Sequence, residues 1–255
     1  MECNPEKSVG FKISANTLKI IAIIAMLIDH IAWAFVPTAS LLGQIMHMIG
    51  RLTAPIMCYF IAEGYHHTHN LKKYAIRLGI FALISHVPFI YFETGKLPIY
   101  YSNGIHFVFH TSVMYTLFLG LIALIVWNNQ KLKNYTKKLL IALICIASLP
   151  GDWVFLAVLW ILVFGINHGN IKKQMIGFSM VSVILVLNSV ISGINGIWWR
   201  PIFQLGVYFA IPLLSRYNGK LGYSKNNKWM KWLFYIFYPL HLLIIGLIRH
   251  VFVLR

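Results

Sequence analysis

Apolar residues run along this chain in long blocks separated by short polar ones. The length of the blocks, rather than an alternating or amphipathic period, is the dominant signal. About twenty consecutive apolar residues cross a bilayer as a helix. On that measure the chain divides into candidate spans at roughly 18–36, 41–64, 73–92, 107–127, 138–150, 153–166, 171–192, 201–215 and 229–253. The expected fold is all-α: a polytopic transmembrane helix bundle of about nine spans, forming one integral membrane domain over residues 1–255. The fifth and sixth blocks are short and are separated by Leu149-Pro150-Gly151-Asp152, which fits either two short tilted helices or one re-entrant pair. The first apolar run is long and contains Asp29 and His30, so it reads as a retained span rather than a cleavable leader.

Composition sharpens this picture. Charged residues make up 11% of the chain and hydrophobic ones 59%, whereas a soluble domain carries about 25% charged residues. The surplus apolar surface needs lipid to face. The formal charge of +16 raises the question of nucleic acid, but the basic residues lie in short clusters between apolar blocks, where topology signals lie. Of the 22 Lys and Arg residues, 17 fall before span one or after spans two, four, six and eight. That alternation supports nine crossings with a cytoplasmic N-terminus, and no nucleic-acid partner. Cys3, Cys58 and Cys145 are odd in number and far apart, so neither a disulfide framework nor a cysteine zinc site is expected.

Candidate chemistry comes from polar residues inside apolar runs. An ionisable group there costs about 2.5–3.5 kcal/mol or more and reads as functional by default. The chain has only six acids, Glu2, Glu6, Asp29, Glu63, Glu93 and Asp152. Asp29 and His30 lie past the midpoint of the first span, and Lys19 lies near its start. Eleven residues separate Lys19 from His30, which places both on one stripe of a helix, about 16 Å apart along its axis. Against this stands a snorkelling Lys19 and a helix-packing hydrogen bond at Asp29–His30. Arg51 follows Gly50 in span two and fits a simple pairing with Asp152 as well as a site role. Glu63 ends span two, followed by His66, His67 and His69; solvent exposure or a phosphate-facing loop is preferred there over a metal, and no metal is expected. His86, His106 and His110 flank the third connection. Asp152 opens span six, Arg200 precedes span eight as an interface anchor or site residue, and His241 lies within span nine. Costly groups on several helices are best accounted for by convergence on one water-accessible cavity.

The chain resembles the TraX family of membrane proteins, named for the pilin N-acetylase of F-type conjugation systems. The resemblance rests on Leu18-Lys19-Ile20-Ile21-Ala22, Met26-Leu27-Ile28-Asp29-His30, Gly50-Arg51-Leu52-Thr53-Ala54-Pro55-Ile56, Glu63-Gly64-Tyr65 and Thr68-His69-Asn70. It continues through Lys73-Tyr74-Ala75-Ile76-Arg77-Leu78, Phe81-Ala82-Leu83-Ile84-Ser85-His86-Val87-Pro88-Phe89, the stretch 113–120 and Gly151-Asp152-Trp153. His86 and Trp153 stand where the family pattern carries glutamine and tyrosine. Lys19-x10-His30 also resembles the Arg/Lys-x10-His motif of acyltransferase family 3, and Tyr238-Pro239-Leu240-His241 is similar to that family's last-helix pattern.

These resemblances imply a membrane-bound acetyl- or acyltransferase in a bacterial plasma membrane, with acetyl-CoA as donor and an unidentified amine or hydroxyl acceptor: peptide, glycan or small molecule. They imply His30 as general base or transient acyl carrier, with Asp29 orienting Arg51 or fixing the His30 tautomer. Arg51 is the expected oxyanion donor. Lys19, Lys72, Lys73, Arg77 and Glu63 would serve the donor, and Asp152, Arg200 and His241 the acceptor. The competing reading of the same buried groups is a proton-coupled transporter of a small solute.

Overall fold

In a computed structural model, residues 12–102, 104–194, 199, 201–222 and 228–253 are described. Helix α1 (Ala15–Phe35) opens at Ser14, whose hydroxyl accepts from the Thr17 amide and caps its start. Its 21 residues reach about 32 Å, enough to cross a hydrocarbon core of about 30 Å. The expected second span is a broken helix, α2 (Leu41–Gly50) followed by α3 (Thr53–His67). The break has a chemical cause. Pro55 has no N–H to give to the Arg51 carbonyl, so a continuous helix would lose its bond there, and the chain turns at Arg51-Leu52 instead. Helix α4 (Leu71–Thr94) starts at an Asn70 side-chain cap on the Lys73 amide and ends on Gly95 in the left-handed conformation, φ 69°.

The fourth block departs from expectation at its start. Two short strands, β1 (Ile99–Tyr101) and β2 (Ile105–Phe107), pair antiparallel, with Ile99 facing Phe107 across the pair. Ile99, Tyr101, Ile105 and Phe107 are exposed, while Tyr100 stacks on His106 on the other face. The helix of that block, α5 (Val113–Asn128), is therefore shorter than the sequence pattern suggested. Next come the short helices α6 (Asn134–Ala147) and α7 (Val154–Ile166), then the long α8 (Ile171–Ile194). The eighth block is an eight-residue 3₁₀ segment, Ile202–Phe209, leading into the short α9 (Ala210–Ser215). Helix α10 (Lys228–Leu247) contains Pro239 and ends in a π-type turn, Ile248–Val253.

Among the described residues, five stretches are long and apolar enough to cross a membrane: Ala15–Phe35, Leu41–His67, Leu71–Thr94, Ile171–Ile191 and Trp232–Phe252. The surface agrees, because α4 turns Ile76, Ile80, Leu83, Ile84 and Val87 outward while Asp29, His47, Arg51 and His241 are buried. Apolar outside and ionisable inside is the arrangement lipid demands. The core is built by α5 against α7, α4 against α10, and α3 against α7, with α1 packed on α2, α3 and α10. Helix α6 buries none of its residues and is a peripheral element.

Close approach of α5 and α7 depends on two glycines. A Cβ on Gly120 would lie 2.3 Å from Ile161, and one on Gly165 would lie 2.5 Å from Leu124. Small residues at such crossings let backbones approach and maximise dispersion contacts. Gly120→Val should therefore destabilise the bundle by about 1–3 kcal/mol, read as a lower thermal midpoint in detergent. Leu143→Val, on the exposed face of α6, should leave the midpoint within about 0.5 kcal/mol of wild type.

Candidate active site

The buried polar residues of α1 divide between two partnerships. Asp29 faces the α2–α3 break: its Oδ1 accepts from His47 Nδ1 at 2.8 Å and its Oδ2 from Arg51 Nη2 at 2.8 Å. Gly50 makes this possible, because a Cβ there would fall 2.3 Å from Asp29 Cβ. The Arg51 guanidinium also lies 4.7 Å from the Trp153 ring and 5.1 Å from the Phe203 ring, so aromatic faces flank it. Its Nε is buried and has no hydrogen-bond partner. Arg51 thus takes Asp29 as its ion-pair partner rather than Asp152.

His30 faces α10. Its Nδ1 lies 2.9 Å from the Met26 carbonyl and 3.1 Å from His241 Nε2, while His241 Nδ1 lies 2.7 Å from the Phe237 carbonyl. A carbonyl can only accept, so each Nδ1 carries the proton. His241 Nε2 is then a lone pair that accepts from His30, and His30 Nε2 is left as a lone pair with no hydrogen-bond partner among the described residues.

His30 lines a cavity of about 350 Å³ together with, among others, Asp29, Arg51, Glu93, Asp152 and Tyr238. Asp152 is carried by the α6–α7 turn, which is pinned to the start of α5. Its amide donates to the Thr111 carbonyl at 2.8 Å, and Thr116 Oγ1 donates to its carbonyl at 2.9 Å. Trp153 and Val154 hold positive φ angles of 64° and 39° at this turn, a costly backbone that the surrounding contacts maintain. Burial pushes the Asp152 carboxyl up to about 6, opposed by Arg51 and His110. Glu93 accepts from His110 Nδ1 at 2.7 Å, and that bond raises the imidazole above its usual range.

A second cavity, of about 520 Å³, opens toward the opposite ends of the same helices. It is lined by Lys19, Lys73, Arg77 and His69, together with Phe60, Tyr74 and Tyr235. Lys19 Nζ is 5.2 Å from the Phe60 ring, and the Arg77 guanidinium is 5.4 Å from Tyr74 and 5.3 Å from Tyr235. On α3, Ala54 lines the first cavity and Met57 the second; on α5 the consecutive residues Val113 and Met114 do the same. The two cavities therefore lie at adjacent levels of the same helices.

The residues singled out in the sequence distribute as follows. Asp29, His30, Arg51 and Asp152 share the first cavity, and Lys19, Lys73 and Arg77 share the second. His241 lies behind His30 rather than on the cavity surface. Lys72 is on the exposed face of α4. Glu63 lines neither cavity and meets His168 Nε2 at 3.1 Å. Arg200 lies outside the described residues. Three participants were overlooked: His47, Glu93 and Tyr238. His47 carried a usable signal, since it interrupts an apolar run just as Asp29 does.

Helices of this length around a buried ionisable cavity define a multi-pass helical membrane protein. The chain belongs to the TraX family, whose model, described as TraX protein, matches residues 14–249. A similar protein is the probable fimbrial assembly protein FimC, serogroup H1, of Dichelobacter nodosus, 33% identical over 180 residues that cover 68% of this chain and 70% of that one. No solved structure matches the chain.

Two outcomes follow from this geometry. Arg51→Met should remove the principal countercharge of a buried carboxylate and cost about 3–5 kcal/mol, seen as a large fall in thermal midpoint; Asp29→Asn introduced alongside it should recover part of that loss. The raised carboxyl of Asp152 makes ionisation costlier in the folded state than in the unfolded one. Its contribution is therefore most favourable below its usual 3.8 and declines as pH rises through about 6. The midpoint of wild type relative to Asp152→Asn should fall over that interval and level off above it.

Proposed function

We propose that this protein is a membrane-embedded acetyltransferase that takes acetyl-CoA from the cytoplasmic end and delivers the acetyl group to an acceptor in the cavity that contains His30. The observation that supports it most directly is the unpartnered His30 Nε2, at the far end of a helix stripe that begins with Lys19 in a cationic, aromatic cavity. Lys19, Lys73 and Arg77 suit anionic phosphates, and Phe60, Tyr74 and Tyr235 suit a nucleotide base. The 17 basic residues that alternate along the chain orient this end to the cytoplasm and favour nine crossings, with α6, α7 and the 202–215 segment as short or tilted ones. The Lys19-x10-His30 spacing, which resembles the Arg/Lys-x10-His motif of acyltransferase family 3, is consistent with this reading.

In the proposed reaction the acceptor nitrogen or oxygen attacks the thioester carbonyl while His30 Nε2 takes its proton. The Nδ1 bonds to Met26 and His241 hold the ring in the tautomer that leaves Nε2 basic. The oxyanion of the tetrahedral intermediate is stabilised by Arg51, whose Nε–H has no protein partner. Collapse breaks the C–S bond, and the departing thiolate receives the proton from His30. Glu93 and Asp152, two of the four acids that the structure describes, line the acceptor cavity beside Arg51 and Arg249, and an acceptor that arrives as an ammonium ion gives up one proton to a carboxylate or to water before it attacks as the free amine. An amine on a fimbrial subunit is consistent with the assembly role in the name of the Dichelobacter relative.

The clustering of Asp29, His47, His30 and His241 also favours a proton-coupled transporter, and one experiment separates the two readings. Purified protein is incubated with acetyl-CoA and candidate amines, and thiol release is followed. Wild-type turnover should drop by about 10²–10⁴-fold in His30→Ala without a matching loss of thermal stability. Lys19→Ala should raise KM for acetyl-CoA more than it lowers kcat. Acetyl-CoA should also raise the melting midpoint of wild type. A folded wild type that neither turns over nor binds acetyl-CoA would leave the transporter.

A further inference from the structure

Glu63 is one of the expected donor-cavity residues, yet its carboxylate faces away from both cavities and gathers imidazoles instead. Glu63 and His67 are four residues apart on α3 and share one helix face. His168 comes from the turn between α7 and α8, about a hundred residues later in the chain, and brings its Nε2 within 3.1 Å of Glu63 Oε1. His67 Nδ1 lies 3.9 Å from Glu63 Oε2. One ligand atom from each of Glu63, His67 and His168 can be chosen such that all lie within 4.8 Å of one another, and this is the one such group of three among the described residues. His66 stacks on His168 with ring centres 4.0 Å apart, and its Nε2 donates to the Gly165 carbonyl, which holds the plane of the His168 ring.

We propose that Glu63, His67 and His168 bind one first-row divalent cation, zinc foremost, and so tie the end of α3 to the α7–α8 turn. Two imidazoles and a carboxylate are a borderline donor set suited to such ions rather than to calcium or magnesium, which prefer oxygen. Tetrahedral zinc at about 2.1 Å from each donor needs donors about 3.4 Å apart. The Glu63–His168 separation is already close to that. The remaining adjustment falls on His67, whose side chain is 65% exposed and whose Nδ1 now donates to the Glu63 carbonyl at 2.9 Å, so the ring either binds through Nε2 or turns out of that bond. Three protein ligands leave a fourth position for water or an anion, and His67 is also part of the lining of the cationic cavity. The site is independent of the acyl-transfer reading. The sequence pattern favoured solvent exposure or a phosphate-facing loop over a metal for His66, His67 and His69; in the structure His66 serves as a stacking partner and His69 lies apart in the cavity wall.

The test uses full-length, tag-free protein in detergent, stripped with chelator and titrated with Co²⁺ as a spectroscopic probe, then with Zn²⁺ as competitor. Wild type should take up one Co²⁺ per chain with ligand-field bands typical of four-coordination, lose them on adding Zn²⁺, and melt at a higher temperature with Zn²⁺ bound. His67→Ala, Glu63→Gln and His168→Ala should each weaken Co²⁺ binding by about tenfold or more, whereas His69→Ala should leave it unchanged. Because His67 is largely exposed, its variant keeps the test valid should either of the others fold poorly. Absence of saturable Co²⁺ uptake in wild type, or uptake that His67→Ala leaves intact, would overturn the site.

Discussion

The carboxylate of Asp29 is the hinge of the architecture. It is buried inside a helix that faces lipid on its other side, and an isolated charge in that position would be prohibitively costly. Its two oxygens are met by His47 and Arg51, which flank the break between α2 and α3. The demand for those partners accounts for several neighbouring features together. Gly50 leaves the space the carboxylate occupies, Pro55 ends the helix that would otherwise carry Arg51 around to another face, and Trp153 and Phe203 cover the guanidinium. With Asp29 so engaged, the next residue, His30, points about 100° away around the helix, toward α10 and His241.

Charge is distributed unevenly along the bundle. The cationic cavity holds Lys19, Lys73 and Arg77, while the other sets three acids, Asp29, Glu93 and Asp152, against two arginines, Arg51 and Arg249. Low dielectric between them preserves this difference better than water would. Both cavities carry methionine in their walls, Met26 in the first and Met57 and Met114 in the second, and such side chains change rotamer readily.

Much of the fold was legible because lipid imposes a simple rule. Block length alone placed α1, α4, α8 and α10, and the broken span 41–67, near their observed positions. It failed where block length and secondary structure part company. Residues 99–101 and 105–107 pair as short antiparallel strands and the 202–209 segment is a 3₁₀ helix, neither of which hydropathy can distinguish from an α-helix. The buried-charge rule likewise marked Asp29, His30, Arg51 and Asp152 as members of one cavity. It passed over His47, Glu93 and Tyr238, of which only His47 broke an apolar run conspicuously.

By itself the sequence determined that the chain belongs in a membrane, that α1 carries Lys19 and His30 on one stripe, and that its costly polar groups must converge. These follow from transfer free energies and from the 3.6-residue turn, both of which are local. Only the tertiary structure decided the partnerships: Arg51 with Asp29 instead of Asp152, His241 behind His30, Glu63 with His168 instead of the donor cavity. Each of those joins residues from different helices, and which face of one helix meets which face of another is set by packing shape, by glycines such as Gly50, Gly120 and Gly165, and by the need to satisfy every buried polar atom at once.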